Sequence, residues 1–547
     1  MRRYVLSAIA VAALVSLSLP AHAMEPGAPD RLLTLMDAAG FKLQARLRET
    51  FRDISDAERR ERGGMTEFYA ERGNAFLWVD SDGLNDRAKA VARSIARARS
   101  FDLRPASYPM PKPREGTPAE APDAQWLAEA EYRITRSVLA YVRHAQSGHV
   151  EPLSVTRKLD IVPDAPDPLE VLRGLARDGV DVASYMESFH PSQPQFVALL
   201  ERLRELRRMS KTRMVRVPDG DLIRPGDTHP HVALVRERLG VEPASGEAGE
   251  ERRYEERLVA AIKDFQRRNG LHVDGLIGPA TRRALNRSPE DKIDTIRVNI
   301  ERWRWLPNDL GKRHVRVNIP EFRVRVFDSG STTFDERIVV GKTRFATPSL
   351  TDQIELVVFN PYWNVPYSIM KNEIMPRVRR DPRFLSRNNL QVLWRGRRKV
   401  DPYRVDWQEV NLSKVRLRQT PGASNALGKI KFLFPNKHSV YLHDTPTKHL
   451  FNRARRAYSH GCMRVRNPRE FAAALMGVQG WSKQDITNAI ARGTNRAVRL
   501  KEAVPVYLSY FTATATDSGA IQYFVDIYGH DGKTLKALER SQNEAEG

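Results

Sequence analysis

Cysteine is almost absent: Cys462 stands alone in 547 residues. An intrachain disulfide is therefore excluded, although exported chains are often held together that way. A lone thiol is either a buried small hydrophobe or a group put to chemical use. Long apolar runs are lacking too. The stretch Val5–Leu19 falls short of the roughly 20 residues that a spanning helix needs. Arg2 and Arg3 precede it and Ala21-His22-Ala23 follows, which completes the pattern of a secretory leader over residues 1–23 and predicts a mature start at Met24. Acidic residues are in deficit, 67 against 89 Lys and Arg, for a formal net charge of +22. Such an excess suits an anionic polymer or a membrane surface, and an export signal excludes nucleic acid as the partner.

What is present reads as a multidomain α+β chain. Residues 31–215 carry apolar residues at helical spacing, as in Leu84–Ala98, Trp126–His144 and Phe196–Arg208, and predict a helical scaffold domain. The proline-rich stretch Pro105–Pro122 predicts a loop. Residues 226–287 predict a small three-helix module, with helices at His231–Leu239 and Glu255–Arg268 and a last one opened by Pro279. Asp274-Gly275 and Gly278-Pro279-Ala280-Thr281 make this module resemble a peptidoglycan-binding domain, with a longer insertion around Ala244–Arg253. From Arg313 the period changes to two: Val315, Val317 and Ile319, then Phe322, Val324 and Val326, alternate with polar residues. Glu336–Lys342 and Gln353–Asn360 are further strand candidates in a mostly β domain over 313–500. Pro366–Asn425 interrupts it with a basic, proline-broken segment of helical and irregular character, expected to act as a capping lid. Residues 501–547 are expected to form a C-terminal extension, frayed from about Ser541.

The chemistry concentrates in Ser439–Pro468. Ser439–Asp444 reads as a strand with Ser439, Tyr441 and His443 on one face and Val440, Leu442 and Asp444 on the other. Nineteen residues after His443 comes Cys462, preceded by Ser459-His460-Gly461. Gly461 permits a sharp turn and a close approach to substrate. Asn467, Pro468 and Glu470 read as the start of a helix. A free thiol ionises near pH 8.5, so a neighbouring imidazole is expected to take its proton and lower that value by units. Acyl transfer needs a nucleophile, a base and donors for the oxyanion. Cys462 supplies the first, His443 or His460 the second, and N–H groups around Gly461 and Cys462 the third. Asp444 points away from His443, so a backbone carbonyl is expected to orient the imidazole. His438, His443, His449, His460 and Cys462 lie close in sequence, but no HExxH pattern accompanies them, and no metal or other cofactor is expected.

Histidine, fifteen residues, then Ser-His-Gly-Cys resembles the signature of the YkuD-type L,D-transpeptidase domain. Val315–Phe327, Val339–Lys342 and Phe359–Pro366 are similar to strands and a loop of its larger periplasmic branch, the YcbB type, which also carries a scaffold domain, a peptidoglycan-binding module and a capping insertion. The resemblance implies Cys462 as nucleophile and His443 as proton acceptor and donor. It implies that His460 and Gly461 line the substrate and oxyanion site, with Arg464 holding the pocket; Tyr441 and Trp363 read by themselves as core or cleft-wall aromatics, with contact to the substrate as the alternative. It implies peptidoglycan stem peptides as substrate, carbapenems as covalent inhibitors and a periplasmic location. A hydrolytic carboxypeptidase or endopeptidase and a non-catalytic wall-binding protein are the competing functions.

Overall fold

The computed structural model describes residues 34–49, 54–73, 75–112, 123–209, 214–245 and 249–544. The expected leader lies outside the described residues, and so does 113–122 of the proline-rich stretch.

The alternating stretches pair into nine strands of one β domain: β1 (Arg313–Asn318), β2 (Arg323–Asp328), β3 (Ser331–Gly341), β4 (Ser349–Phe359), β5 (Ile430–Leu433), β6 (Leu442–His443), β7 (Ala457–Ser459), β8 (Met463–Val465) and β9 (Arg496–Ser509). They run in the order β5-β6-β8-β3-β2-β1-β9-β4, and β5 pairs with β4 (Ile430 opposite Phe359), so the sheet closes into a barrel. Closure leaves these strands no shared free edge. Strand β7 lies parallel beside β3. The period of two sends Val315, Val317, Val324, Val326, Val357 and Leu442 inward, all fully buried. Helix Pro468–Met476 packs Phe471 and Leu475 into the same core. Asn467 does not cap this helix through its side chain. Its amide turns instead to the Glu336 carboxylate on β3.

Two expected borders move. Strand β9 crosses residue 500 and pairs with β1 and β4 as far as Ser509, so the first residues assigned to the extension belong to the barrel. The tail beyond does not fray at Ser541: helix Asp531–Glu544 holds Gln542 buried, where it accepts a bond from Arg297 at 2.9 Å. The interruption of the barrel is also more ordered than its sequence suggested. Arg398–Val400, Leu390–Trp394, Val415–Gln419 and Trp363–Asn364 form a four-stranded sheet. Val378, Leu385, Val392, Val415 and Leu417 give this cap an apolar core of its own.

The N-terminal helices gather around Ala124–Ser147, whose first turn is capped by the Asp123 side chain. Its inward face is not wholly apolar. Glu131 is fully buried and accepts bonds from the Tyr69 hydroxyl (2.6 Å) and from the Leu77 and Trp78 N–H groups. The small module folds as three helices, Pro230–Leu239, Glu256–Arg268 and Pro279–Leu285. Gln266 holds its turn by accepting from the N–H groups of Asp274 and Gly275.

Helix Pro289–Arg304 joins this module to the barrel, and its last turn buries Glu301, Arg302 and Arg304. Glu301 accepts from the N–H groups of His149 (2.6 Å) and Val150 (2.8 Å) and faces Arg304. Arg302 pairs with Asp531 of the tail at 2.7 Å. Burial pushes the Glu301 carboxyl up, but the His149 bond and the charge beside it outweigh that and hold it below the usual carboxylate range. Its contribution to stability is therefore present above the unfolded pKa of about 4.3 and is lost as pH falls through the lower folded value. Glu301→Ala leaves the N–H groups of His149 and Val150 without their acceptor and buried Arg304, still bonded to the Phe101 carbonyl, without its counter-charge. It is expected to cost about 3–5 kcal/mol in urea unfolding at pH 7.

Candidate functional site

Two short parallel strands set the site. In the β6–β8 ladder Leu442 lies opposite Met463 and His443 opposite Arg464. Alternation turns Leu442 and Met463 into the barrel core, fully buried. Tyr441, His443, Cys462 and Arg464 therefore share the other face. The ladder is shorter than the expected strand Ser439–Asp444, because Ser439 takes a positive φ of 55°. The Asn436 side chain fixes that bend by accepting from the Val440 N–H and donating to the Val440 carbonyl. The Ser439 carbonyl then lies 3.9 Å from Cys462 Sγ.

The turn before the cysteine is held from three sides. Gly461 has φ 117°, a conformation open to glycine and strained for other residues. Ser459 Oγ accepts from the Gly461 N–H (3.1 Å) and donates to the Cys462 carbonyl (2.5 Å). The Thr347 hydroxyl donates to the Gly461 carbonyl at 2.7 Å while accepting from the Gly341 N–H. A side chain at Gly341 would place its Cβ 2.0 Å from the Phe345 carbonyl oxygen, so only glycine allows this approach. The Gly461 N–H is thus engaged, whereas the Cys462 N–H meets no backbone or side-chain acceptor among the described residues.

His443 is buried, and its Nδ1 faces the backbone carbonyl of Asp444. A proton on Nδ1 satisfies that carbonyl and leaves Nε2 as the basic nitrogen. The Asp444 carboxylate is turned elsewhere, to the Lys429 N–H (2.8 Å) and Lys448 Nζ (2.6 Å). The Tyr441 ring stands edge-on to the imidazole at 5.7 Å between centroids. Lys431, on β5 directly opposite His443, reaches over the Tyr441 ring at 5.8 Å. Arg464 donates to Thr447 Oγ1 at 3.0 Å. His460 pairs with the Glu373 carboxylate, a residue of the cap, and rests against Phe345. Trp363 is not brought into this group. It packs beside the cap's apolar core and pairs with Gln419.

Residues 312–492, which contain the whole arrangement, match the family model described as the L,D-transpeptidase catalytic domain, YkuD. The barrel is a YkuD catalytic domain. Residues 63–203 match the model of a scaffold domain, and 237–285 match that of a "Putative peptidoglycan binding domain". A curated Haemophilus influenzae protein named "Putative L,D-transpeptidase" is 33% identical over 235 residues, which are 43% of this chain and 47% of that protein. The match thus spans about half the length of that relative. A solved L,D-transpeptidase (residues 123–326) from Xylanimonas cellulosilytica covers 53% of this chain and 98% of its own at 15% identity, with a TM-score of 0.18, too slight a likeness to carry an argument. No helix among the described residues is long and apolar enough to cross a membrane.

Electrostatics in the YkuD site differ from the expected ion pair. Burial pushes the Cys462 thiol up to about 11, against the opposing pull of Tyr441, Arg464 and Lys431. Burial and then Arg464, with Lys431 and Lys448 adding to it, hold His443 down to about 3, although the Asp444 carbonyl favours the cation. Both shifts favour the neutral forms, and the same cations that favour the thiolate oppose the imidazolium. No group of three or more His, Cys, Asp or Glu side chains among the described residues is placed to hold a metal. His438 is engaged with Asp160 and His460 with Glu373.

Lys431, Glu373, Thr347 and Gly341 escape a reading of the sequence around Cys462, since they come from β5, the cap, a loop and β3. Gly341 alone left a trace, inside the quoted Val339–Lys342. Lys431 yields a measurable consequence, because its charge favours the thiolate. Iodoacetamide modification of Cys462, followed by intact mass, is expected to be slower than for free cysteine at pH 7.5 and still rising at pH 9. Lys431→Met removes a favourable charge, raises the thiol pKa further and slows the reaction at each pH; a plateau below pH 8 in the wild type would contradict this.

Proposed function

We propose that the protein crosslinks peptidoglycan stem peptides by L,D-transpeptidation, with Cys462 as nucleophile and His443 as general base and acid. The reading is carried by one observation: Cys462 and His443 stand on one face of paired strands, within a YkuD domain, with an unengaged N–H at the cysteine itself. The peptidoglycan-binding match over 237–285 supports the same polymer.

Cys462 Sγ attacks the carbonyl that joins diaminopimelate at stem position three to the following D-alanine. His443 Nε2 takes the thiol proton as the C–S bond forms, in keeping with shifts that favour the neutral thiol and the neutral imidazole before substrate arrives. The Cys462 N–H, freed by Ser459's hold on its neighbour, donates to the oxyanion. Lys431 and Arg464 favour negative charge at the sulfur and in the tetrahedral intermediate. Collapse breaks the C–N bond, and D-alanine leaves with the proton from His443. The amine of a second diaminopimelate then attacks the thioester; His443 accepts its proton and returns it to the sulfur. Tyr441 walls the imidazole, and His460, tied to Glu373, positions the cap beside the turn. Trp363, packed beside the cap's apolar core, belongs to the wall of the cap and not to the group around Cys462. A basic, exported enzyme of this kind acts in the periplasm, and carbapenems would acylate Cys462.

Purified protein incubated with tetrapeptide muropeptides is expected to release D-alanine and form dimers joined through position three, as read by mass spectrometry. Cys462→Ala abolishes the dimer, and His443→Gln lowers its rate about 10²–10⁴-fold. Absence of dimer with the wild type, or equal dimer with Cys462→Ala, refutes the proposal. Free tetrapeptide trimmed to tripeptide, without dimer, assigns water as the acceptor instead.

A further inference from the structure

Cations converge at a second place, where three parts of the fold meet. Helix Pro194–Met209 of the scaffold, the peptidoglycan-binding module and the hairpin Ala513–Ala515/Ile521–Tyr523 enclose a groove of about 570 Å³. Arg202 enters from the scaffold helix, Arg238 and Arg268 from the module, and Lys292 from helix Pro289–Arg304. Two of the four are already compensated: Arg202 pairs with Glu205 and Arg268 with Asp264, each at 2.7 Å. Arg238 donates to the carbonyls of Leu285 (2.8 Å) and Arg287 (3.1 Å), which carry no net charge. The Lys292 ammonium has no hydrogen-bond or ion-pair partner among the described residues. Beside them Arg287 stacks over the Tyr523 ring at 5.0 Å. Glu201 also lines the groove but is exposed.

We infer that this groove is a binding site for a multiply charged oxyanion, held by Lys292 and Arg238 with Arg268 and Arg202 at its sides. Burying like charges without a counter-charge is unfavourable, and the cost is removed only when an anion arrives. Burial followed by repulsion from Arg238, Arg202, Arg287 and Arg268 holds the Lys292 ammonium down to about 8, as an uncompensated cluster requires. With Arg202 and Arg268 paired, Arg238 and Lys292 remain without a counter-charge, and a single carboxylate would answer only one of the two; the ligand is therefore a phosphate-type group or a pair of neighbouring carboxylates. The apolar walls Leu239, Phe265 and Ile521 accommodate the body that carries it. Because the groove is walled by scaffold, module and hairpin together, an occupant ties the module to the rest of the chain. This site is independent of the transfer reaction at Cys462.

Thermal unfolding of the full chain tests it with two probes, sodium pyrophosphate and the free tetrapeptide stem, each against sodium chloride at matched ionic strength. A ligand held only by the native groove raises the melting temperature in proportion to its occupancy. Pyrophosphate is expected to do so at millimolar concentration, with half-saturation shifted about tenfold upward in Lys292→Met and in Arg238→Gln. Without ligand, Lys292→Met is expected to melt no lower than the wild type, since it removes an uncompensated charge. A rise with pyrophosphate alone assigns phosphate chemistry, and a rise with the tetrapeptide that Lys292→Met and Arg238→Gln weaken assigns paired carboxylates; either supports the site. No rise with either probe, a rise reproduced by sodium chloride, or equal rises in the wild type and both variants overturns it.

Discussion

The pairing of Leu442-His443 with Met463-Arg464 is the contact on which the site depends. The core fixes its register: Leu442 and Met463 are fully buried inside the barrel, and a slip of one residue would turn both onto the site face and send His443 and Arg464 into the barrel in their place. The barrel core thereby sets the register of the chemistry. The register in turn sets which residues flank the thiol, and so it delivers Lys431 from the far side of β6 to a position opposite His443.

The electrostatic state of the site follows from the same placement. A cysteine and a histidine on one sheet face, both desolvated, rest in their neutral forms, and the two cations alongside cannot favour the thiolate without opposing the imidazolium. Nothing in this placement favours a stored thiolate–imidazolium pair. The cap meets the same turn through Glu373 and His460. The cap has its own sheet and its own apolar core, and this contact joins it to the turn that carries Cys462.

Farther out, charge again joins the parts. Buried Glu301 ties the scaffold's His149-Val150 to the helix that leads into the barrel, and Arg302 ties that helix to the tail. These pairs are compensated. The groove around Lys292 is not, and that contrast marks it as a place for a ligand and not only a structural joint.

Local pattern determined a good deal. The period-two valines marked the barrel strands, the helical spacing marked the scaffold, and Pro279 marked the start of a helix, because each of these depends on near neighbours in the chain. The lone cysteine with Gly461 before it and His443 nineteen residues upstream identified the candidate pair for the same reason. The orientation of His443 by a main-chain carbonyl was also legible, since a residue one step along a strand faces the other way. What tertiary structure alone decided lies at long sequence separation. The cap's sheet, the extension of β9 past residue 500, the amide of Asn467 turned to Glu336, and the gathering of Lys431, Thr347 and Glu373 around one turn all rest on contacts between distant segments. The thiol's raised pKa belongs with them: a sequence shows that a histidine can stand near a cysteine, but desolvation is a property of everything packed around both.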